Sequence, residues 1–293
     1  MKATNISDEI VFSILRPRDP ESNKGSYGTL TCVCGSRRFP GAASLSVTAA
    51  LRCGAGIVRL MSTEPVVRAC SSKVSEAIYE TLEESVDGGI SESGIPLISK
   101  IAEKSSAVLC GCGMGNTGDT EKIVLALLKT GAPLILDADA LNSVAASGRI
   151  YTLKRNSKPA VITPHVGEMS RLTGMSISEI KADPVSCAAF FAETYGCVVV
   201  LKDHVTCVAP PDGRVYMSTA GNAGLARGGS GDTLAGMIAS FLAQGYPPLE
   251  AALCGVHLHG SAADRCAARL SQYGMLPSDI LTDLCGIFLE KGL

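Results

Sequence analysis

The sequence predicts an α/β fold, a mostly parallel sheet covered by helices with an antiparallel edge, and three observations carry that prediction. Short β-rich runs alternate with helical stretches along most of the 293 residues. Several of those runs end in small or turn-forming residues just ahead of a helix. Past residue 205 the alternation gives way to two short runs around a tight reversal. A parallel sheet needs the first pattern, because each crossover returns over the sheet as a helix.

In order along the chain, the β-rich runs are residues 29–34, 57–61, 107–110, 134–136, 160–163 and 198–201. Four are followed by turn signals: Gly35-Ser36, Gly111-Cys112-Gly113, Asp137-Ala138-Asp139 and Thr163-Pro164-His165. In open α/β sheets ligands bind beyond the carboxyl ends of the strands, so these turns are expected to share one edge. Residues 205–217 read as two short strands around Pro210-Pro211-Asp212-Gly213, which supplies the antiparallel edge. The Ala/Leu-rich stretches 232–244, 249–270 and 277–289 read as helices. No low-complexity linker, charge block or repeat divides the chain, and residues 1–293 are read as a single domain.

Composition narrows the partners. Hydrophobic residues make up 46% and charged residues 18%, enough for a sizeable core. A formal net charge of -2 lacks the basic footprint that a nucleic-acid backbone requires, so no nucleic-acid partner is expected. The twelve cysteines sit in apolar strand-like or helical settings and read as buried, reduced thiols, and their C-x-C spacings are not those of structural zinc sites. No metal ligand set is assigned. The N-terminus lacks an apolar signal core and no run is long enough to span a bilayer, so a cytoplasmic protein with no membrane partner is expected.

The chemistry centres on residues 221–236, GNAGLARGGSGDTLAG, where glycines accumulate before an apolar helix-forming run. The first amides of a helix have no partner inside it, and with the helix dipole they form an anion site. Asp232 stands at that helix start, where its carboxylate serves equally as a cap on the amides or as a base toward a hydroxyl.

This stretch resembles the signature of the ribokinase-like NAD(P)H-hydrate dehydratases. The likeness extends, in order, through Lys24-Gly25-Ser26-Tyr27-Gly28, Gly35-Ser36 with Pro40-Gly41-Ala42-Ala43, Gly111 to Gly115, Asp137 to Asn142 and Thr163 to Glu168. It covers roughly residues 20–265. The resemblance implies a ribokinase-like three-layer α/β/α fold and an ADP-dependent dehydratase that restores NADH or NADPH from the S hydrate, giving AMP and phosphate. Hydroxide leaves poorly and phosphate leaves well, so phosphorylation followed by elimination explains a dehydratase built like a kinase. Alternatives are an ATP-dependent member of the same family, a small-molecule kinase of the same fold acting on a vitamin precursor, and a catalytically silent nucleotide-binding protein.

By resemblance, Asp232 is the base, and Gly229, Ser230 and Gly231 stabilise the transferred phosphoryl group. Ala43, Gly113, His165 and Asp232 bind the hydrate. The nucleotide is held by Gly231 and by Lys202, Asp203, His204, Val205 and Thr206, which match a Lys-Gly-x-x-Thr stretch in the family. Asp203 replaces its glycine and adds a negative charge. Asp137, Asp139 and Asn142 line the phosphate region, with the aspartates helping to hold Mg2+ through water and Asn142 a candidate helix-start residue. His257 and His259 read as packing or capping. The family also implies a homo-oligomer, a tetramer, and a separate epimerase acting on the same hydrate pool, because the chain leaves no room for an epimerase domain.

Overall fold

The computed structural model describes residues 3–155 and 159–293, so Met1 and Lys2 of the N-terminal stretch lie outside it. The strands are β1 (Thr4–Asn5), β2 (Thr29–Val33), β3 (Ile57–Thr63), β4 (Ile78–Leu82), β5 (Ala107–Cys110), β6 (Leu134–Leu136), β7 (Val161–Ile162), β8 (Val198–Leu201), β9 (Thr206–Ala209) and β10 (Tyr216–Ser218). They form one sheet in the order β1-β10-β9-β8-β7-β6-β5-β2-β3-β4. Only β9 runs against its neighbours, β8 and β10.

Alternation along the strands builds the layers. Leu30, Cys32, Leu109, Val161 and Val200 point into one core, shared with the helices Pro40–Arg52, Ser230–Ala243 and Pro248–Gly274. Val33, Val108, Cys110, Ile162 and Val199 point into the other, shared with Gly118–Leu128, Asp139–Ala146, Val166–Thr173 and Pro184–Tyr195. Because successive side chains of a strand face opposite ways, strands with apolar residues at every position require a helical layer on each side. The result is the three-layer α/β/α architecture that the sequence predicts.

The six expected β-rich runs are all strands, and the 205–217 reversal is the β9–β10 hairpin. Two strands were not foreseen. β4 is an edge strand with Ile78 exposed and only Leu82 buried, so it lacks the apolar run that marks the others. β1 is two residues long and lies parallel to β10, outside the antiparallel strand. All twelve cysteines are free, and eleven are buried. No helix among the described residues is long and apolar enough to cross a membrane.

The chain reverses its direction of progress across the sheet between β2 and β5, the switch point at whose carboxyl ends open α/β sheets bind ligands. The helix Ser230–Ala243 packs against Pro40–Arg52 on this side. Gly236 makes that approach possible: a Cβ there would lie 2.3 Å from the carbonyl oxygen of Ser46. Gly236→Ala gains about 1 kcal/mol of helix propensity, but overpacking against rigid backbone costs about 1–3 kcal/mol. A net loss is expected, read as a lower urea midpoint with unchanged slope.

Candidate active site

Five strand ends and one helix start converge at this edge. The turn after β2 and the turn after β5 are tied by a hydrogen bond from Gly35 N–H to the carbonyl of Cys112 at 2.8 Å. After β6 comes Asp137, which is buried. The next residue, Ala138, has φ 49°, a left-handed conformation that costs a non-glycine residue about 1–3 kcal/mol. This strained link joins Asp137 to Asp139 at the start of the following helix, where Asp139 Oδ2 accepts the amide of Gly115 at 2.8 Å. After β7 come Thr163 and His165, and β8 delivers Lys202.

Lys202 Nζ donates to Asp137 Oδ1 at 2.7 Å, and Thr163 Oγ1 donates to the same oxygen at 2.7 Å. Burial by itself would lower the Lys202 pKa, but the carboxylates of Asp137 and Glu168 outweigh it and raise it, so the ammonium is retained. Opposite stands the start of the helix Ser230–Ala243, with Gly229 at φ 99° as its N-cap. The turn's positive φ requires glycine there, and a Cβ would in addition displace the movable Leu45 Cδ1, 2.6 Å away. A Cβ on Gly231 would lie 3.3 Å from Lys202 Nζ and 3.9 Å from Asp137 Oδ2, which measures how closely the helix start faces the ion pair. Ser230 Oγ is buried without a partner among the described residues.

Asp232 completes the group. Burial, reinforced by the charge of Asp137, pushes its carboxyl up to about 6, against smaller opposing effects from the Cys112 thiol and Lys202. The Cys112 Sγ is 3.8 Å from Asp137 Oδ2, and thiol and both carboxylates lie within 4.8 Å of one another. The neighbouring Cys34 thiol and burial raise the Cys112 pKa well above the ordinary range, so the thiol stays protonated as a weak donor to these acids. A carboxylate poised near neutrality beside unpaired helix amides can take a proton from a hydroxyl while those amides receive negative charge.

The structure gathers most of the residues expected from sequence. Gly113 lies against Ala42 and Phe39, with a Cβ there falling 2.7 Å from the Ala42 methyl. The Ala43 methyl is fully buried, facing Gly35, so Ala42 is the residue that reaches Gly113. His165 caps the helix Val166–Thr173 and is about half exposed. The added charge of Asp203 is met by Lys181 at 3.5 Å, and Asp203 Oδ1 accepts the amide of His204 at 2.9 Å, which answers the departure at this position. Beside this loop is a cavity of about 120 Å³ lined by Ile180, Pro184, Leu201, His204 and Val205 among others. Asn142 is not the N-cap, which is Ala138, but sits in the first turn of the helix Asp139–Ala146, where its side chain bonds Asp139 and its Oδ1 accepts from Arg171 at 3.0 Å. His257 Nε2 pairs with Asp8 at 2.8 Å, and His259 is a buried histidine whose pKa burial pushes down to about 4.

The sequence alone assigns Glu168 no role, yet burial, with the Asp137 charge adding and Lys202 opposing, pushes its carboxyl up to about 7. Its signal was present as a residue three positions after His165, the spacing of a capping box.

A three-layer α/β fold whose strand-end Lys-Asp pair faces a glycine-led helix start defines a class of proteins that handle phosphorylated ligands at the sheet's switch point. The model of the family described as NAD(P)H-hydrate dehydratase matches residues 30–285, and the chain belongs to that family. It is 39% identical over 262 residues to the bifunctional NAD(P)H-hydrate repair enzyme Nnr of Thermofilum pendens, covering 89% of this chain and 50% of that protein. It is 36% identical over 255 residues to the ADP-dependent (S)-NAD(P)H-hydrate dehydratase of Neisseria meningitidis, covering 86% of this chain and 81% of the relative. A crystal structure of the ADP/ATP-dependent NAD(P)H-hydrate dehydratase of Bacillus subtilis, co-crystallised with ATP/Mg2+, superposes with a TM-score of 0.85 at 31% identity and covers 99% of both chains. The chain spans about half the length of the bifunctional relatives it matches.

Proposed function

We propose that this protein is an ADP-dependent dehydratase of (S)-NAD(P)H hydrate. The observation that carries the reading is Asp232, held near neutrality at a glycine-led helix start that faces the Lys202 ammonium. In this reading Asp232 takes the proton of the ring hydroxyl as that oxygen attacks the terminal phosphorus of ADP, and the bond to AMP breaks. The amides after Gly229 and the Lys202 ammonium stabilise the charge on the phosphoryl group in flight. The phosphate then leaves with its bonding pair, pushed out by the ring nitrogen lone pair, and loss of a proton from the adjacent ring carbon restores the double bond.

The apolar cavity beside Asp203, His204 and Val205 fits the base of the nucleotide, with Thr206 just beyond that loop at the start of β9 and Gly113, Ala42 and His165 on the hydrate side. Mg2+ fits the donor chemistry: among the described residues Asp137 Oδ2 accepts only the weak thiol contact, and Asp137 and Asp139 offer the hard oxygen atoms this cation prefers, through water. When bound with the nucleotide it would neutralise phosphate charge.

The deciding assay incubates the protein with hydrated NADH or NADPH, Mg2+ and either ADP or ATP and follows the dihydronicotinamide absorbance. Recovery with ADP, accompanied by AMP and phosphate, is expected. Recovery only with ATP would move the protein to the ATP-dependent branch, a phosphorylated product that persists would make it a kinase, and no recovery with either nucleotide would end the reading.

A further inference from the structure

His165 is held more tightly than a half-exposed side chain needs to be. Its Nδ1 accepts the amide of Gly167 at 2.9 Å and that of Glu168 at 3.4 Å. A ring nitrogen that accepts two N–H groups carries no proton itself. Burial lowers the His165 pKa, with the cations Lys202 and Arg171 adding to that and Asp137 opposing it, so the ring is neutral and its one proton sits on Nε2.

Glu168 closes the arrangement. Its Oε2 accepts the backbone N–H of His165 at 2.8 Å, and its Oε1 lies 3.3 Å from His165 Nε2 without a hydrogen bond, so the carboxylate favours the proton on Nε2 by charge and leaves it free to donate. The carboxylate is almost wholly buried whereas the ring is half exposed, so a ligand meets the imidazole and not the acid. Gly167 is the third constraint, since a Cβ there would lie 2.8 Å from His165 Cε1 and drive the ring off the helix start. A serine or aspartate would cap these amides equally well. What the imidazole adds is a second nitrogen with a proton.

We infer that Glu168 is a positioning residue that, with the amides of its own helix, fixes His165 in the Nε2-protonated tautomer, so that the imidazole meets the substrate as a hydrogen-bond donor and not as a base. The acceptor is an oxygen of the hydrated ring, its hydroxyl or its carboxamide. This rests on the substrate reading above for the identity of the ligand, whereas the tautomer is a property of the free protein.

The experiment has a spectroscopic arm and a kinetic arm. Imidazole 15N–1H spectra of the free protein are expected to show His165 with Nδ1 bare and Nε2 protonated; an Nδ1-protonated ring would overturn the inference whatever the activity. In Glu168→Gln the side-chain oxygen keeps the His165 backbone N–H, and an NH2 group replaces the carboxylate oxygen beside Nε2, where two N–H groups repel. KM for the hydrate is expected to rise about tenfold, with kcat and KM for ADP within about threefold. In the wild type the hydrate KM should also rise as pH falls through the range where Glu168, surrounded by Lys202, Asp137, Arg171 and His165, gains its proton. Asp232 titrates near 6 in both proteins and its limb stays, whereas Glu168→Gln should lose the limb near 7, and a limb near 7 that persists unchanged overturns the positioning role. His165→Asn keeps the helix cap but has no donor at the Nε2 position, so it serves should Glu168→Gln fold poorly. A tenfold rise in its hydrate KM is expected. An unchanged KM with the tautomer confirmed would remove the substrate contact, and the donor role with it, while leaving the base and the anion turn of the proposed function standing.

Discussion

Asp232→Asn is expected to lower turnover roughly 10²- to 10⁴-fold, the usual worth of a positioned general base, while ADP still binds. Asparagine keeps the shape of the helix start but cannot accept the hydroxyl proton. The wild-type rate should fall as pH drops below about 6, where the buried carboxyl takes up its proton. Stability should move the other way. A carboxyl whose folded pKa is raised favours the folded state when protonated, and that contribution is lost as pH rises from the ordinary aspartate range through about 6. Keeping Asp232 ionised at neutral pH therefore costs on the order of 3 kcal/mol, and Asp232→Asn should raise the denaturation midpoint at pH 7.5 or leave it unchanged. Steady-state kinetics, ADP titration and urea unfolding check the three parts. Turnover within threefold of wild type would remove Asp232 from the role of base.

The second large effect is expected from Lys202→Met. Asp137 is buried, and its remaining strong donor would be the Thr163 hydroxyl, so removing the ammonium strands a charge in the interior at a cost of about 3–5 kcal/mol. The anion turn would also lose the cation that faces Gly231, and nucleotide affinity should fall at least tenfold. The double variant Asp137→Asn with Lys202→Met separates the two effects. With neither charge present most of the lost stability should return, because a neutral pair needs no ion partner, while nucleotide binding and turnover stay low. Recovery of turnover together with stability would show that the pair only supports the fold.

Some of this protein was open to inspection in its residues because short-range rules govern it. Continuous apolar runs such as 198–201 need helices on both sides, and the glycines before Asp232 can only serve a tight approach to a helix start. The ordered motif blocks likewise single out Asp232, His165 and residues 202–206 from the residues alone. β4 and β1 escaped because an edge strand needs only one covered side or a few backbone bonds, and neither leaves a strong pattern. Asn142 bonds the helix-start Asp139 from the first turn, and only the helix boundary shows that Ala138 and not Asn142 takes the cap position.

By itself the sequence determined the layered α/β architecture, the glycine-led helix start and the identity of the acid that stands there. Only the tertiary structure decided what state those groups are in. That Asp232 is held near neutrality, that Lys202 and Asp137 form one buried pair, that Lys181 offsets Asp203, and that Glu168 and Gly167 fix the His165 ring all depend on groups far apart in the chain or on how a short segment curls. Periodicity and motif spacing report which way a side chain faces its own element, whereas a pKa or a tautomer is set by distance, burial and charge across elements, and folding alone supplies those.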